Sequence, residues 1–305
     1  MNSPGLLTVR GLRSADEETQ LSVELQRPAI TPLFVRQSPE NVAKLIPHLY
    51  SLCAEAQGAV ARAALHAAGC ELPEECNKQR LWTEFLHENL WRLLLDWPLA
   101  LGLPPEKDAF VEWRAVRHGS ALVEKTKLLY EQTLQPLAKQ SLEKIVASDV
   151  DNSGESRIPP MRPEDWLPYW QNISTEMPFS SPPKSISEAY RSRIRAVGQA
   201  IDALTGGFEY PVAAIGVDAD QQNIGVAQIR TARGILTHAA RVDAGVVSAY
   251  QVWAPTDVFF KDSQALNGLL VGQSFGNLDQ MRQAINQAIL ALDPCLPFVM
   301  EVNDA

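Results

Sequence analysis

Apolar and polar residues alternate in two short runs at the start of the chain. Residues 6–10 read Leu-Leu-Thr-Val-Arg and residues 21–25 read Leu-Ser-Val-Glu-Leu, and a polar connection lies between them. Partial alternation over short runs joined by polar residues predicts a β-hairpin. Prolines at positions 28 and 32 then interrupt any regular element.

In the middle of the chain, apolar residues recur at the three- and four-residue spacing that is typical of helices packed on a core. Ser38 and Pro39 supply an N-cap and a first-turn proline. The predicted helices cover about residues 38–68, 81–97 and 121–147. Gly69 and Pro98 are the predicted ends of the first two, and Pro136 predicts a kink in the third.

Residues 148–185 are rich in Pro, Ser, Asn and Asp and predict a long surface loop or lid. Trp166 and Trp170 indicate that part of this segment docks on the body of the protein or on a partner. A helix is predicted for residues 185–204, with a basic face. The arginines of that face are a candidate contact surface, although solvated charge is the commoner explanation: Arg191, Arg193 and Arg195.

The last third of the chain returns to short alternating runs. Three strands are predicted over residues 224–229, 234–242 and 246–253, with a hairpin turn at residues 243–245. An amphipathic helix over residues 278–292 follows, and Asp293-Pro294 ends it. The pattern therefore predicts a mainly helical α+β protein with β-elements near both termini.

Composition narrows the function classes. The chain has 305 residues, of which 46% are apolar and 21% charged, the balance of a globular protein. The net charge of −9 disfavours nucleic acid and anionic membranes as partners. Neither a membrane-spanning apolar run nor a secretory signal is visible, and four cysteines do not make a disulfide scaffold, so we expect a cytoplasmic protein.

Common catalytic signatures are missing from the sequence, which has no Gly-rich phosphate loop and no Cys-x-x-Cys. One local pattern, His66-x3-Cys70-x5-Cys76, has three potential metal ligands, but ordinary thiols at a helix end explain it better. A second, Asp293-Pro294-Cys295, has a single cysteine, which on local evidence is more often a small buried residue than a ligand.

Taken together, three C-terminal motifs carry a resemblance. Residues 231–238 read Thr-Ala-Arg-Gly-Ile-Leu-Thr-His, and Pro255-Thr256 and then Asp293-Pro294-Cys295 follow. Their order and approximate spacing resemble the C-terminal part of [NiFe]-hydrogenase large subunits, which carry Ala-Pro-Arg-Gly, then Pro-Thr/Ser-x-Trp-Asn, then Asp-Pro-Cys-x-x-Cys-x-x-His. Ala232 replaces the proline before the arginine, and Val258 and Phe259 replace Trp-Asn.

The N-terminal metal-binding motif of the large subunits, Arg-x-Cys-Gly-x-Cys-x-x-x-His, is reduced here. Only Cys53 is kept, while Tyr50 stands at the first cysteine and Gln57 at the histidine. In the C-terminal motif, Phe298 and Glu301 replace the second cysteine and the histidine. A chain that keeps two cysteines in place of four resembles the HupK/HoxV family of hydrogenase maturation proteins, which is related to the large subunit. The segment at residues 91–98 is similar to that family as well.

The resemblance implies a [NiFe]-hydrogenase large-subunit-like fold that brings Cys53 and Cys295 together. Two thiolates make a poor nickel site but suit a low-spin iron that already carries diatomic ligands, so the resemblance implies a scaffold for the Fe(CN)2(CO) group, without nickel and without hydrogenase activity. The resemblance also implies a single domain over residues 1–305, in which Arg233 is expected to donate to one cyanide and Thr256 to the other, with Pro255 as the wall on the CO side.

The implied partners are a HypC-type chaperone with a HypD-type maturation protein as donor, and the immature hydrogenase large subunit as acceptor. An alternative stays open: a cofactor-free chaperone that mimics the large subunit and binds maturation proteins or hydrogenase subunits. In that case Cys53 and Cys295 are inherited core thiols. The survival of one cysteine from each motif favours the scaffold.

Overall fold

A computed structural model describes residues 5–13, 19–50, 52–73, 77–145, 160–179, 181–219 and 222–304. Within these ranges the strands are β1 Leu6–Arg13, β2 Thr19–Gln26, β3 Val212–Ala219, β4 Gln222–Thr231, β5 Gly234–Asp243, β6 Val246–Trp253 and β7 Phe298–Asp304. The α-helices are α1 Pro39–Leu49, α2 Ala54–Ala67, α3 Lys78–Trp91, α4 Trp97–Ala100, α5 Lys107–Val116, α6 Leu122–Leu129, α7 Gln135–Lys144, α8 Pro163–Trp170, α9 Ile186–Gly206, α10 Pro255–Phe259, α11 Gln264–Leu270 and α12 Leu278–Leu292.

The predicted N-terminal hairpin is confirmed, and it gains a third strand from the far end of the chain. β1 pairs antiparallel with β2 and parallel with β7, in the order β2-β1-β7. Parallel pairing needs no local turn, so no short-range signal in the sequence announces it. The pairing holds the C-terminal segment, three residues after Cys295, against the start of the chain.

A second sheet has the order β3-β4-β5-β6, all antiparallel. The three predicted strands and the turn between β5 and β6 are confirmed, with positive φ at Ala244 and Gly245. Strand β3 was not predicted. Helix α2 packs directly on this sheet at the facing glycines Gly216 and Gly225, where an added Cβ would lie 1.9 Å from a carbonyl oxygen of the helix.

The predicted helix over residues 38–68 is wrong in one respect: it is two helices, α1 and α2, and the break falls at the cysteine. Ser38 caps α1 as predicted, with its side chain accepting from the Asn41 N–H. Tyr50 is extended, and Cys53 is the N-cap of α2. Gly69, with φ of +79°, follows the end of α2.

Pro98 does not end its helix, contrary to the prediction. A π-helical turn over Arg92–Asp96 joins α3 to α4, and a second one over Tyr130–Leu134 joins α6 to α7. Each turn is followed by a proline in the first turn of the next helix, Pro98 and Pro136. The wider turn leaves room for the proline ring and needs no hydrogen bond from the proline nitrogen, so the chain continues as a helix. Helix α5 was not predicted.

Within the 148–185 segment, which was predicted as a loop or lid, residues 163–170 form helix α8. Trp166 is buried against Trp253 of β6, with ring centroids 4.6 Å apart, so this part docks on the sheet as its tryptophans indicated. Residues 148–159 lie outside the described residues.

Helix α9 begins at the Ser185 cap, as predicted, and left-handed Gly207 follows its last residue, Gly206. Its predicted basic face is wrong for Arg193, which is buried, whereas Arg191 and Arg195 are exposed. None of the described helices combines the length and the hydrophobicity needed to cross a bilayer.

Candidate functional site

Cys53 and Cys295, 242 positions apart in the sequence, belong to one charged cluster. Cys53 starts α2, and Cys295 follows α12 just before β7. Burial raises the pKa of Cys53 to about 12, and negative charge on Cys295 adds to the increase. The two thiols therefore lie within electrostatic range of each other. At neutral pH, Cys53 therefore keeps its proton unless a cation takes the proton's place.

Thr256 holds Cys295 from two sides. Its buried hydroxyl accepts the Cys295 backbone N–H at 3.1 Å and donates to Cys295 Sγ at 3.3 Å. Pro255, at the first position of α10, lies beside Gly234, so that an added Cβ on this glycine would be 3.2 Å from the Pro255 ring. The residues at 255 and 256 are thus next to the cysteine and to the Arg233-Gly234 turn.

Arg233 is buried close to both thiols but is already paired. Its Nη2 donates to Glu88 at 2.6 Å, and its Nε is 3.6 Å from a carboxylate oxygen of Asp293. That Nε has no hydrogen-bond acceptor among the described residues. Burial lowers the pKa of Arg233, but Asp293, Glu88 and, to a lesser extent, the two cysteines raise it on balance. Arg233 is therefore a fixed cation beside the thiols, with one N–H unused.

Asp293 joins this arginine to two more. Its carboxylate accepts from Arg92 at 2.6 Å and from Arg193 at 2.8 Å. Burial raises the pKa of Asp293, but Arg233, Arg193 and Arg92 lower it well below its usual range. Asp293 itself adopts the left-handed conformation that ends α12, with φ of +49°. The Asp-Pro-Cys motif thus supplies the anion around which the buried guanidinium groups are arranged.

A further residue at the site was missed by sequence reasoning. Arg27, just after β2, has Nη2 at 2.5 Å from Cys295 Sγ, and it pairs with Asp257 of α10 at 2.9 Å. Arg27 precedes a proline in an irregular segment and matches none of the motifs, so only the tertiary structure reveals it.

On the other side, Cys53 is linked to a buried polar chain. Gln57 donates to Cys53 Sγ at 3.7 Å and accepts from His238 Nε2 at 2.9 Å. His238 Nδ1 then accepts from the Tyr250 hydroxyl at 2.7 Å. Burial lowers the pKa of His238 to about 3, so the ring is neutral with its proton on Nε2, which satisfies every member of the chain. Gln57, which stands where the motif of the large subunits has histidine, therefore positions the Cys53 thiol.

An open cleft of about 730 Å³ leads toward this cluster. One wall is formed by side chains of α3, and Leu52 and Arg117 contribute to the other walls. At its inner end, Glu84 accepts the backbone N–H groups of Glu55 and Ala56, the first turn of α2. The cleft therefore reaches the first turn of α2, next to Cys53 in the chain, through Leu52 and Glu55.

The described residues contain no group of three or more His, Cys, Asp or Glu side chains arranged to hold a metal ion. Of the pattern His66-x3-Cys70-x5-Cys76, His66 and Cys70 lie at the C-terminal end of α2, and Cys76 is outside the described residues.

Comparison with known proteins finds relatives that cover most of the chain. No family model matches the chain. It is 28% identical to the hydrogenase expression/formation protein HupV of Azotobacter chroococcum, covering 93% of this chain and 95% of that protein. It is also 28% identical to the hydrogenase expression/formation protein HupK of Rhodobacter capsulatus, covering 94% and 95%. The protein of the same description named HoxV from Cupriavidus necator is 36% identical over 88 residues.

Solved structures of hydrogenases share the fold. The Ni-Fe-Se hydrogenase of D. vulgaris Hildenborough matches with a TM-score of 0.60 at 13% identity, covering 91% of this chain and 93% of that chain. The [NiFeSe]-hydrogenase of Dm. baculatum matches with a TM-score of 0.56 at 10% identity, covering 92% and 94%. The chain is thus a relative of the HupK, HupV and HoxV hydrogenase expression/formation proteins, built on the predominantly helical α+β fold of the [NiFe]-hydrogenase large subunit.

Proposed function

We propose that this protein is a hydrogenase maturation factor that carries the Fe(CN)2(CO) group to the immature hydrogenase large subunit, with Cys53 and Cys295 as the iron ligands. The observation that carries the proposal is the meeting of these two thiols, one from each remnant motif, in a single charged cluster. The maturation role is supported by relatives that match over most of their length and are described as hydrogenase expression/formation proteins.

The surroundings of the thiols suit an iron group that brings its own diatomic ligands. Two thiolates leave most of the iron's coordination positions to CO and cyanide. The N–H of Arg233 that has no acceptor is a donor for one cyanide nitrogen. The Thr256 hydroxyl, which donates to Cys295 Sγ in the iron-free chain, would turn to the other cyanide when iron binds, and Pro255 is an apolar wall for CO. Arg233 and Arg27 lie beside the thiols, and each is also paired with a carboxylate, Glu88 and Asp257 respectively.

A carrier also has to release its cargo. Because burial raises the pKa of Cys53 to about 12, the free protein holds this thiol protonated, and iron binding has to displace that proton. Reprotonation of Cys53 favours release to an acceptor that offers more thiolates. The scheme needs no turnover of substrate by this chain, which is why we assign it a carrier role and not an enzymatic one.

The donor in this scheme is a HypC-type chaperone with a HypD-type partner, and the protein acts in the cytoplasm beside them. The cleft at Leu52 and Glu84 is the face through which we expect transfer, because it leads from solvent to the start of α2.

Infrared spectroscopy tests the proposal directly. The protein is purified without oxygen from cells that express the maturation machinery, and Cys53→Ala, Cys295→Ala and Cys70→Ala are prepared alongside it. CO and cyanide stretching bands are expected in the wild type and in Cys70→Ala, and they should disappear in both other variants. Spectra without these bands in a wild type that still co-purifies with maturation proteins would favour the cofactor-free chaperone.

A further inference from the structure

Arg27 is the one cation that directly contacts a candidate ligand thiol, as far as the described hydrogen bonds and ion pairs extend. Its Nη2 donates directly to Cys295 Sγ, the atom that a metal ion would have to reach. On its other side, Nη1 pairs with Asp257 at 2.9 Å. The guanidinium is thus held at both ends, and its side chain is only 26% exposed.

This placement puts a permanent positive charge where a bare metal cation would otherwise meet Cys295. A guanidinium stays protonated at any physiological pH. A free divalent ion that approaches Cys295 must displace Arg27 from the sulfur and then remain beside a like charge in a partly buried site, where such repulsion is stronger than in water. An iron that carries two cyanides has its own charge cancelled and offers acceptor atoms to the same N–H groups.

We propose that Arg27 is a specificity-determining residue that excludes free divalent metal ions from Cys295 and so keeps the thiol pair available for the pre-assembled iron group. The inference rests on the proposed function for the identity of the cargo. The exclusion itself depends only on the contacts of Arg27 with Cys295 and Asp257.

Cobalt(II) is the probe, because thiolate ligation gives it an intense near-ultraviolet charge-transfer band. The protein is produced in cells without the maturation machinery, purified without oxygen and titrated with Co²⁺. We expect Arg27→Gln to bind Co²⁺ at least tenfold more tightly than the wild type, and the added band should be lost in Arg27→Gln/Cys295→Ala. Arg10→Gln is the matched control, since Arg10 is an exposed arginine paired with Glu24 and Glu301.

Two results overturn the proposal. One is a wild type that already binds Co²⁺ with a strong band that Cys295→Ala removes, a result that does not depend on any variant of Arg27. The other is a folded Arg27→Gln, judged by circular dichroism and thermal melting, whose Co²⁺ affinity equals that of the wild type. Arg27→Lys separates charge from shape: it should still exclude Co²⁺, and if it binds like Arg27→Gln, the fixed charge is not the cause.

This test and the infrared test fail independently. Iron bands in the wild type, together with unchanged Co²⁺ binding in Arg27→Gln, would retain the carrier and reject the role of Arg27. The absence of iron bands, together with Cys295-dependent Co²⁺ binding in Arg27→Gln alone, would retain the exclusion and reject the carrier.

Discussion

Glu84 couples the cleft to the helix that begins at Cys53. Its carboxylate accepts the N–H groups of Glu55 and Ala56 at 2.8 and 2.9 Å, which satisfies two of the unpaired donors at the start of α2. Burial raises the pKa of Glu84 to about 7, and the two backbone N–H groups only partly oppose that increase. The charge of this cap therefore changes near neutral pH.

A pH dependence of stability follows from this pKa. A carboxyl whose pKa is higher in the folded state binds its proton more tightly there, so the stabilisation is full below the ordinary pKa and is lost as pH rises through the folded value. We expect the wild type to lose stability relative to Glu84→Gln as pH rises from about 4.5 to about 7. Urea unfolding at several pH values measures the difference.

The control for this prediction is Glu124→Gln on α6, which removes an exposed carboxylate far from the start of α2. A difference between wild type and Glu84→Gln that stays constant with pH would show that Glu84 keeps an ordinary pKa in the folded protein.

At the scale of single residues, the sequence reveals those that sit inside motifs. Cys53, Cys295 and Thr256 could be named because family patterns contain them, and their roles toward iron stay predictions. Arg27 and Arg193 could not be assigned, since each reaches the site from an element far away in the chain and neither spacing nor residue type marks it. Arg193 was predicted to lie on the same basic face as Arg191 and Arg195. Positions two apart in a helix point in different directions, so Arg193 is buried while the other two arginines are exposed.

At the scale of elements, the position of Cys53 depends on how closely α2 approaches the second sheet. Gly216 of β3 and Gly225 of β4 face each other under the helix, and an added Cβ on Gly225 would lie 1.9 Å from the Ala64 carbonyl oxygen. Backbone cannot yield as a flexible side chain can, so any larger residue must push the helix away. The helix carries both Cys53 and Gln57.

Gly225→Ala is therefore expected to destabilise the protein by about 2–3 kcal/mol and to disturb the site. Chemical denaturation gives the change in the free energy of unfolding, and the rate of Cys53 alkylation reports the disturbance. Gly268→Ala is the control: Gly268 is an exposed glycine inside α11 with no atom near its added Cβ, so alanine should stabilise the helix by about 0.5 kcal/mol. Equal effects at both positions would contradict the close-approach argument.

For some helices and strands, the periodicity of apolar residues is sufficient to predict the element. Helices α9 and α12 and strands β4 to β6 follow their patterns closely, because local spacing and caps decide them. The errors fall where tertiary contacts override local preference. The break before α2 occurs at the cysteine, and the π-turn after α3 carries the chain past Pro98, which would end an isolated helix.

At the scale of the whole molecule, the two ends of the chain are joined by a single strand pairing. β7 lies parallel to β1, with Leu7 opposite Phe298 and Arg13 opposite Asp304. The Leu7 N–H also donates to the Pro297 carbonyl at 3.0 Å, two residues from Cys295. Arg10 and Arg13 add exposed ion pairs to Glu301 and Asp304, which contribute little by themselves. The pairing fixes Cys295 relative to the N-terminal sheet and to Arg27 after it.

Truncation after Pro297 tests whether this closure builds the site, because it keeps both cysteines and removes β7. The variant leaves the β1 edge unpaired and frees the segment that holds Cys295, so we expect a lower melting temperature and loss of the CO and cyanide bands in anaerobically purified protein. Removal of Ala305 alone is the control and should leave both unchanged. If the truncated protein keeps its iron bands, α12 and Thr256 are sufficient to position Cys295, and the strand serves stability only. If the bands are lost, loading has to wait until the last residues of the chain have joined the first sheet, and the carrier accepts iron only as a completed fold.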